Sequence, residues 1–186
     1  QGLNIGLDGV VAQQDNYKKS GFKLAYRNIR YEGVGGGNPP AHSHIVELCS
    51  LPFETIAGYD KAFFPAHRLE FTKAWIRQPA CYALGVLQHG KLAGYGVMRK
   101  CRSGFKIGPL LADSPELAEA VFLALKSKVS LSDAIFLDTP EVNPAAVRLA
   151  EKYGMKVSFE TARMYTGDVP ALPMARIFGV ASFEIG

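Results

Sequence analysis

The sequence predicts an α+β (mixed α/β) fold in which one mixed sheet carries helices on its faces. Three observations lead there. Two apolar runs, Cys81–Leu87 and Leu92–Arg99, flank the tight-turn segment Gln88-His89-Gly90-Lys91 and read as a hairpin. A third apolar run, Phe105–Leu111, extends that hairpin into a meander. Beyond it, short apolar runs alternate with helical patterns that open on capping residues and stop at glycine. Antiparallel meanders joined to a strand–helix–strand–helix–strand unit produce a sheet of mixed direction.

Each element has its own signal. Pro52–Phe64 carries Phe53, Ile56, Ala57, Phe63 and Phe64, which suits a short helix. Arg68–Arg77 places Leu69, Phe71, Thr72, Trp75 and Ile76 at helical spacing. Gly108-Pro109 marks a bulge or splay in the sheet. Asp113-Ser114-Pro115-Glu116 is a helix start, with a polar cap, a proline in the first turn and acids at the positive end of the dipole. That helix runs to about Lys128. Ala134–Leu137 is a buried strand, and Asn143-Pro144 opens a helix that ends at Gly154. Lys156–Tyr165 is a strand, and Ile177–Ile185 is expected to be the last one.

Composition narrows the function. The 186 residues are 48% hydrophobic and 20% charged, which excludes a disordered, collagen-like or coiled-coil chain. No apolar run approaches the ~20 residues of a membrane span, so no membrane partner is expected. The formal net charge of +4 is scattered, and Arg99-Lys100-Cys101-Arg102 reads as a solvated loop, so no nucleic-acid partner is expected either. Three cysteines without a CxxC pair suit reduced thiols in a cytoplasmic protein. His42-Ser43-His44 with Cys49 offers no fourth ligand, so no metal site is expected. The chain starts at Gln1 with no signal-peptide pattern, and either something upstream is expected to have been removed or the chain to start mid-protein.

The segment Val34-Gly35-Gly36-Gly37-Asn38-Pro39-Pro40 reads as a floppy, then stiffened, linker, the alternative being a long loop inside one domain. It divides the chain into residues 1–33, a linker at 34–44, and a larger domain at 45–186. The two parts share a pattern. Leu7-Asp8 precedes a helix ending in Lys18-Lys19-Ser20-Gly21-Phe22, and Leu137-Asp138 precedes one ending in Glu151-Lys152-Tyr153-Gly154-Met155. Each glycine is followed by a strand with an arginine at equal distance, Arg30 and Arg163. The pattern predicts a duplicated unit.

At these residues the chain resembles a family. Asn143-x-x-Ala146-x-x-Leu149-x-x-x-x-Gly154-Met155 resembles the late helix–strand motif of the GCN5-related N-acetyltransferases (GNAT), and Leu7-Asp8 through Tyr17-x-x-x-Gly21-Phe22 resembles a shorter variant of it. With Gly94-Tyr95-Gly96-Val97, Lys106-Ile107-Gly108-Pro109-Leu110 and Phe159–Tyr165, nearly the whole chain is similar to the C-terminal two thirds of bacterial tandem acetyltransferases, in which the second domain is divergent. The resemblance implies a mostly antiparallel central sheet. It also implies acetyl transfer from acetyl-CoA to an amine or other small-molecule substrate, and leaves a homodimer possible. A non-catalytic ligand-binding or dimerising module that keeps only the fold is the alternative.

The family's chemistry asks for a helix N-terminus that holds the CoA diphosphate and an acid, usually Tyr, that protonates the leaving thiolate. The matching tyrosine is Tyr17 in the first part, whose other reading is an amphipathic-helix residue packing on the sheet, whereas Ala150 stands at that position in the second. The stretch that should cradle the diphosphate, Leu111–Ala118, has no glycine, and Pro115 removes an N–H. Asp113 and Glu116 put negative charge where phosphates would sit, a repulsion of roughly 4 kcal/mol at ~4 Å near a surface. The second domain is therefore expected to have lost its grip on acetyl-CoA. Its informative positions are charges inside apolar segments: Asp60, Arg68, Arg99, Lys106, Asp138, Glu160 and Arg163. They are expected to line a polar pocket for a small charged ligand, to close over the first domain's substrate, or to form plain salt bridges.

Overall fold

A computed structural model of the protein describes residues 3–41 and 44–184. Along the chain run β1 (Gly6–Val10), α1 (Gln14–Lys19), β2 (Lys23–Val34), β3 (Ile45–Glu47), α2 (Phe53–Asp60), α3 (Leu69–Trp75), β4 (Cys81–Gln88), β5 (Lys91–Lys100) and β6 (Phe105–Ala112). Then follow α4 (Pro115–Lys126), β7 (Ala134–Pro140), α5 (Pro144–Lys152), β8 (Lys156–Tyr165) and β9 (Ile177–Gly179). The strands of the described residues form one mostly antiparallel sheet in the order β1-β8-β2-β7-β6-β5-β4-β3, with β9 against β6. Only β6 and β7 run parallel.

Local chemistry sets the helix ends. Ser114 caps α4 by accepting a hydrogen bond from Leu117 N at 3.3 Å, with Pro115 in the first turn. Asn143 Oδ1 accepts from the N–H groups of Ala145 and Ala146, and Gly154 ends α5 at φ 68°, a conformation that costs glycine little. The apolar faces of α4 and α5 pack Val121, Phe122, Leu125 and Leu149 on one side of the sheet. Leu48, Ile56, Phe63 and Tyr95 gather on the other, under α2 and α3.

The segment before the expected linker is woven into the sheet. β2 lies between β8 and β7, and β1 lies outside β8. The β2–β8 register is self-complementary. Asn28 faces Thr161, Arg27 with Ala162 mirrors Ile29 with Glu160, and Tyr26 with Arg163 mirrors Arg30 with Phe159. Even the two irregularities, between Leu24/Tyr26 and Arg30/Tyr31, exchange under this mirror. A pseudo-twofold axis therefore passes by Asn28 and Thr161. It relates β1–α1–β2 to β7–α5–β8, and each unit's second strand pairs with the other unit's first strand.

Two expectations need correction. The glycine run is tied down rather than floppy: Gly35 N donates to Asp133 O at 2.8 Å, Gly36 N to Lys126 O at 2.9 Å, and Lys126 Nζ returns hydrogen bonds to the carbonyls of Gly35 and Gly36. Among the described residues the last strand covers Ile177–Gly179, and Ile185 lies outside them. Its neighbours diverge, since β6 and β7 pair only from Phe105/Ile135 to Ile107/Leu137. Beyond that point β9 pairs with β6 at Leu110 and Leu111, and then the chain crosses the gap, Val180 N donating to Asp138 O at 2.9 Å. A segment that changes neighbours within a wedge cannot stay a strand for long. Gly108 stands at the mouth of the wedge, where an added Cβ would come within 2.4 Å of Val180 O.

Candidate functional site: a slot shared by both halves

Three buried carboxylates organise the charged side chains. Asp60, on α2, takes a two-pronged pair from Arg68, Nε and Nη2 each donating at 2.9 Å, together with Thr72 Oγ1 at 3.0 Å and Tyr95 OH at 2.6 Å. Burial opposes its charge, but the hydrogen bonds and charge of Arg68, aided by Tyr95 and Thr72, prevail and hold the carboxyl below its usual range. Asp138, fully buried on β7, takes Nε and Nη2 of Arg30 at 2.7 and 2.9 Å and also touches the Lys106 ammonium. Burial pushes the Lys106 pKa down, Asp138 resists that shift, and Phe183 lies over both cations.

Asp8, on β1, pairs with Arg163 Nη1 at 2.8 Å and accepts from Asn28 Nδ2 at 2.6 Å and Thr161 Oγ1 at 3.3 Å. Burial raises its pKa despite Arg163. Arg163 Nε donates to Tyr165 OH at 2.9 Å. Burial and the neighbouring Tyr165 push Tyr26 far above its ordinary range, so its hydroxyl stays neutral.

The Asp8 cluster opens onto a cavity. A narrow slot of about 50 Å³ is walled by Phe63, Phe64, Leu111 and Ile177, with Tyr26, Asn28, Arg68, Arg163 and Tyr165 as its polar lining. A wider cleft of about 570 Å³ shares Phe64, Pro65, Arg163 and Tyr165 with the slot and reaches Asp8 and Phe183. Asn28 lines the slot, and its Oδ1 is buried with no hydrogen-bond partner among the described residues.

Comparison with known proteins places this geometry. A family model described as an acetyltransferase (GNAT) domain matches residues 56–179. The chain belongs to this family. It is 24% identical over 183 residues to a protein named holothin acyltransferase from Pseudoalteromonas sp. (strain SANK 73390), covering 98% of this chain and 62% of that protein. A crystal structure of a candidate acetyltransferase from Pyrococcus horikoshii superposes with a TM-score of 0.78 at 26% identity, over 97% of this chain and 59% of that one. A GCN5-related N-acetyltransferase from Anabaena variabilis shares the fold at a TM-score of 0.58, 16% identity and 87% of this chain against 45% of that one. The chain thus spans about three fifths of the length of the first two.

GNAT proteins generally use acetyl-CoA, and the end of α4 is where its diphosphate would be tested. The residues there do not fit it. Ser114 already caps Leu117 N. Asp113 accepts from Tyr59 OH at 2.8 Å and is paired with Arg176, which lies over the rings of Phe63 and Tyr59. Exposed Glu116 adds a second negative charge in the first turn. The wedge between β6 and β7, a place where diverging strands receive ligands, is filled by β9, with Trp75 Nε1 donating to Gly108 O at 2.9 Å beside it.

Of the side chains singled out from sequence, Arg68 and Arg163 line the slot, and Asp60 stands behind Arg68. Lys106 and Asp138 form the closed cluster under Phe183. Arg99 lies over Trp75, 5.3 Å from its centroid, and Glu160 pairs with Arg27 at 3.2 Å; neither lines the slot. Tyr17 is half-buried on α1, edge-on to Phe22, with its ring so close over Gly9 that a Cβ there would come within 2.7 Å. Tyr153 packs on Phe122 and donates to Glu119. His42 and Ser43 lie outside the described residues.

The polar slot residues that were not singled out are Tyr26, Asn28 and Tyr165, with Asp8 behind them. A signal was present. Tyr26-x-Asn28-x-Arg30 and Thr161-x-Arg163-x-Tyr165 are polar rows at the two-residue spacing of a single strand face.

Proposed function

We propose that the chain is the trailing part of an acetyl-CoA-dependent N-acyltransferase. Its first unit contributes Tyr17 as general acid, and its second GNAT-like domain has stopped binding acetyl-CoA and supports the first. The division at residues 34–44, the amine acceptor and a cytoplasmic setting with three free cysteines belong to this reading. The observation that supports it is the N-terminal end of α4, where Asp113 is paired with Arg176 and Ser114 already caps the helix. The pseudo-twofold relation of β1–α1–β2 to β7–α5–β8 supports a tandem origin, and Tyr17 stands where the second unit has Ala150.

Two measurements test it. Acetyl-CoA should leave the melting temperature of this 186-residue chain unchanged. Ligand at 100 times its Kd would add about 2.7 kcal/mol of stability, and such a gain would overturn the loss of binding. In the full-length protein, Tyr17→Phe should lower kcat for acetyl transfer to an amine by roughly 100-fold or more. Unchanged kcat would remove Tyr17 from the chemistry. The slot favours a second reading, a ligand-binding module without catalysis. That reading gains if the full-length protein transfers no acetyl group yet this chain binds small molecules.

A further inference from the structure

Asn28 is 1% exposed and its amide is used on one side only. Nδ2 donates to Asp8 Oδ1 at 2.6 Å, and because a carboxylate can only accept, this bond fixes which end of the amide faces β1. Oδ1 is left as a buried acceptor with no partner among the described residues, on a side chain that lines the slot. A buried carbonyl without a donor is unfavourable, so the position calls for an N–H or O–H supplied from elsewhere.

The charge of the slot selects among donors. Its two cations, Arg68 and Arg163, each have a carboxylate behind them, Asp60 and Asp8. The lining is therefore electrically balanced, and a ligand carrying a full charge would lose its hydration without meeting a free counter-charge. The walls are aromatic and aliphatic, and the slot continues into the wider cleft past Phe64 and Pro65. The site is also composite. β2 brings Tyr26 and Asn28, β8 brings Arg163 and Tyr165, and β9 with the Phe63–Arg68 turn closes it, so it exists only where both halves share the sheet.

We propose that this slot binds an uncharged small molecule with an apolar body and one N–H or O–H group, which donates to Asn28 Oδ1. The inference goes beyond the transferase reading and does not depend on it, since binding is read without any acyl donor.

The test uses indole and benzofuran, which have nearly the same shape and differ in the N–H. Each is titrated into the 186-residue protein labelled at its methionine methyls, with Met174, a slot residue, as reporter. Indole should shift Met174 saturably, and benzofuran should bind at least tenfold more weakly. Asn28→Leu should bring the two affinities together. Met174→Trp, which fills the slot and leaves the Asp8 cluster intact, should abolish indole binding, and it keeps the test decisive if Asn28→Leu does not fold. Equal affinities for the two probes in the unsubstituted protein would overturn the proposal. So would indole binding that spares Met174 or survives Met174→Trp, or an absence of saturation up to the solubility of indole, which would mean that Asn28 Oδ1 is served by a buried water alone.

Discussion

The pairs Asp8–Arg163 and Asp138–Arg30 are images of one another across the pseudo-twofold axis, yet they live in different surroundings. Both join a β1-type strand to a strand of the opposite unit at directly facing positions. At Asp138 the pair is two-pronged, a second cation from Lys106 is drawn in, and Phe183 covers it. At Asp8 the guanidinium gives one nitrogen to the carboxylate and another to Tyr165, Asn28 takes the remaining carboxylate oxygen, and the cluster borders a cavity. Duplication thus supplied the same ion pair twice, and what packs on it decided that one became a sealed strut and the other the polar wall of a slot.

The most severe way to break this comparison is to delete each carboxylate. Asp138→Ala strands the buried Lys106 and the partly exposed Arg30, and we expect a loss of about 4 kcal/mol in urea unfolding. Asp8→Ala strands one cation, Arg163, which keeps Tyr165, and takes the acceptor from Asn28 Nδ2 and Thr161 Oγ1; it should cost about 2–3 kcal/mol. Equal losses would mean that the extra cation and the aromatic cover are immaterial.

Acidification separates Asp8 from Asp60, the carboxylate that serves as a control. The lowered pKa of Asp60 means that its pair contributes fully above the unfolded-chain value near 3.8 and is lost as pH falls through the lower folded value. The raised pKa of Asp8 works in the opposite direction. As pH falls through that folded value towards 3.8, the folded state takes up the proton first and this group adds stability. Wild type should therefore gain on Asp8→Asn between pH 7 and 4. Its margin over Asp60→Asn should stay flat across the same range and shrink only below it. Urea midpoints at pH 7, 5.5 and 4 read both slopes.

The mildest change sharpens the comparison. Lys106→Met removes the additional cation and leaves Arg30 on Asp138, so stability should move by no more than about 1 kcal/mol. In that background Asp138→Ala should cost about as much as Asp8→Ala does alone. A persistent gap would assign the difference to Phe183 instead.

How far the sequence leads is visible in the same residues. The capping pairs Ser114-Pro115 and Asn143-Pro144, the hairpin turn at Gln88–Lys91 and the Gly21/Gly154 stops all act locally, and each stands where its chemistry demands. The repeat was legible through Leu7-Asp8, Leu137-Asp138 and the equally spaced Arg30 and Arg163. What could not be read was the exchange, in which each aspartate pairs with the arginine of the other unit, because strand order is set by contacts far apart in the chain. The slot was hidden for the same reason. Asn28 is an ordinary strand residue until β8 and β9 arrive beside it, and Arg176, which neutralises Asp113, follows α4 by two further strands and a helix.

The interleaved position of β2 also governs how the chain is made. Arg30 meets its partner Asp138 only after 108 further residues, on the order of ten seconds of ribosomal synthesis. During that interval both margins of a twelve-residue strand are open, and the strand that fits them is also carried by every neighbouring nascent copy. Crowded polysomes should therefore favour exchanged dimers, and slower initiation should favour chains that close upon themselves.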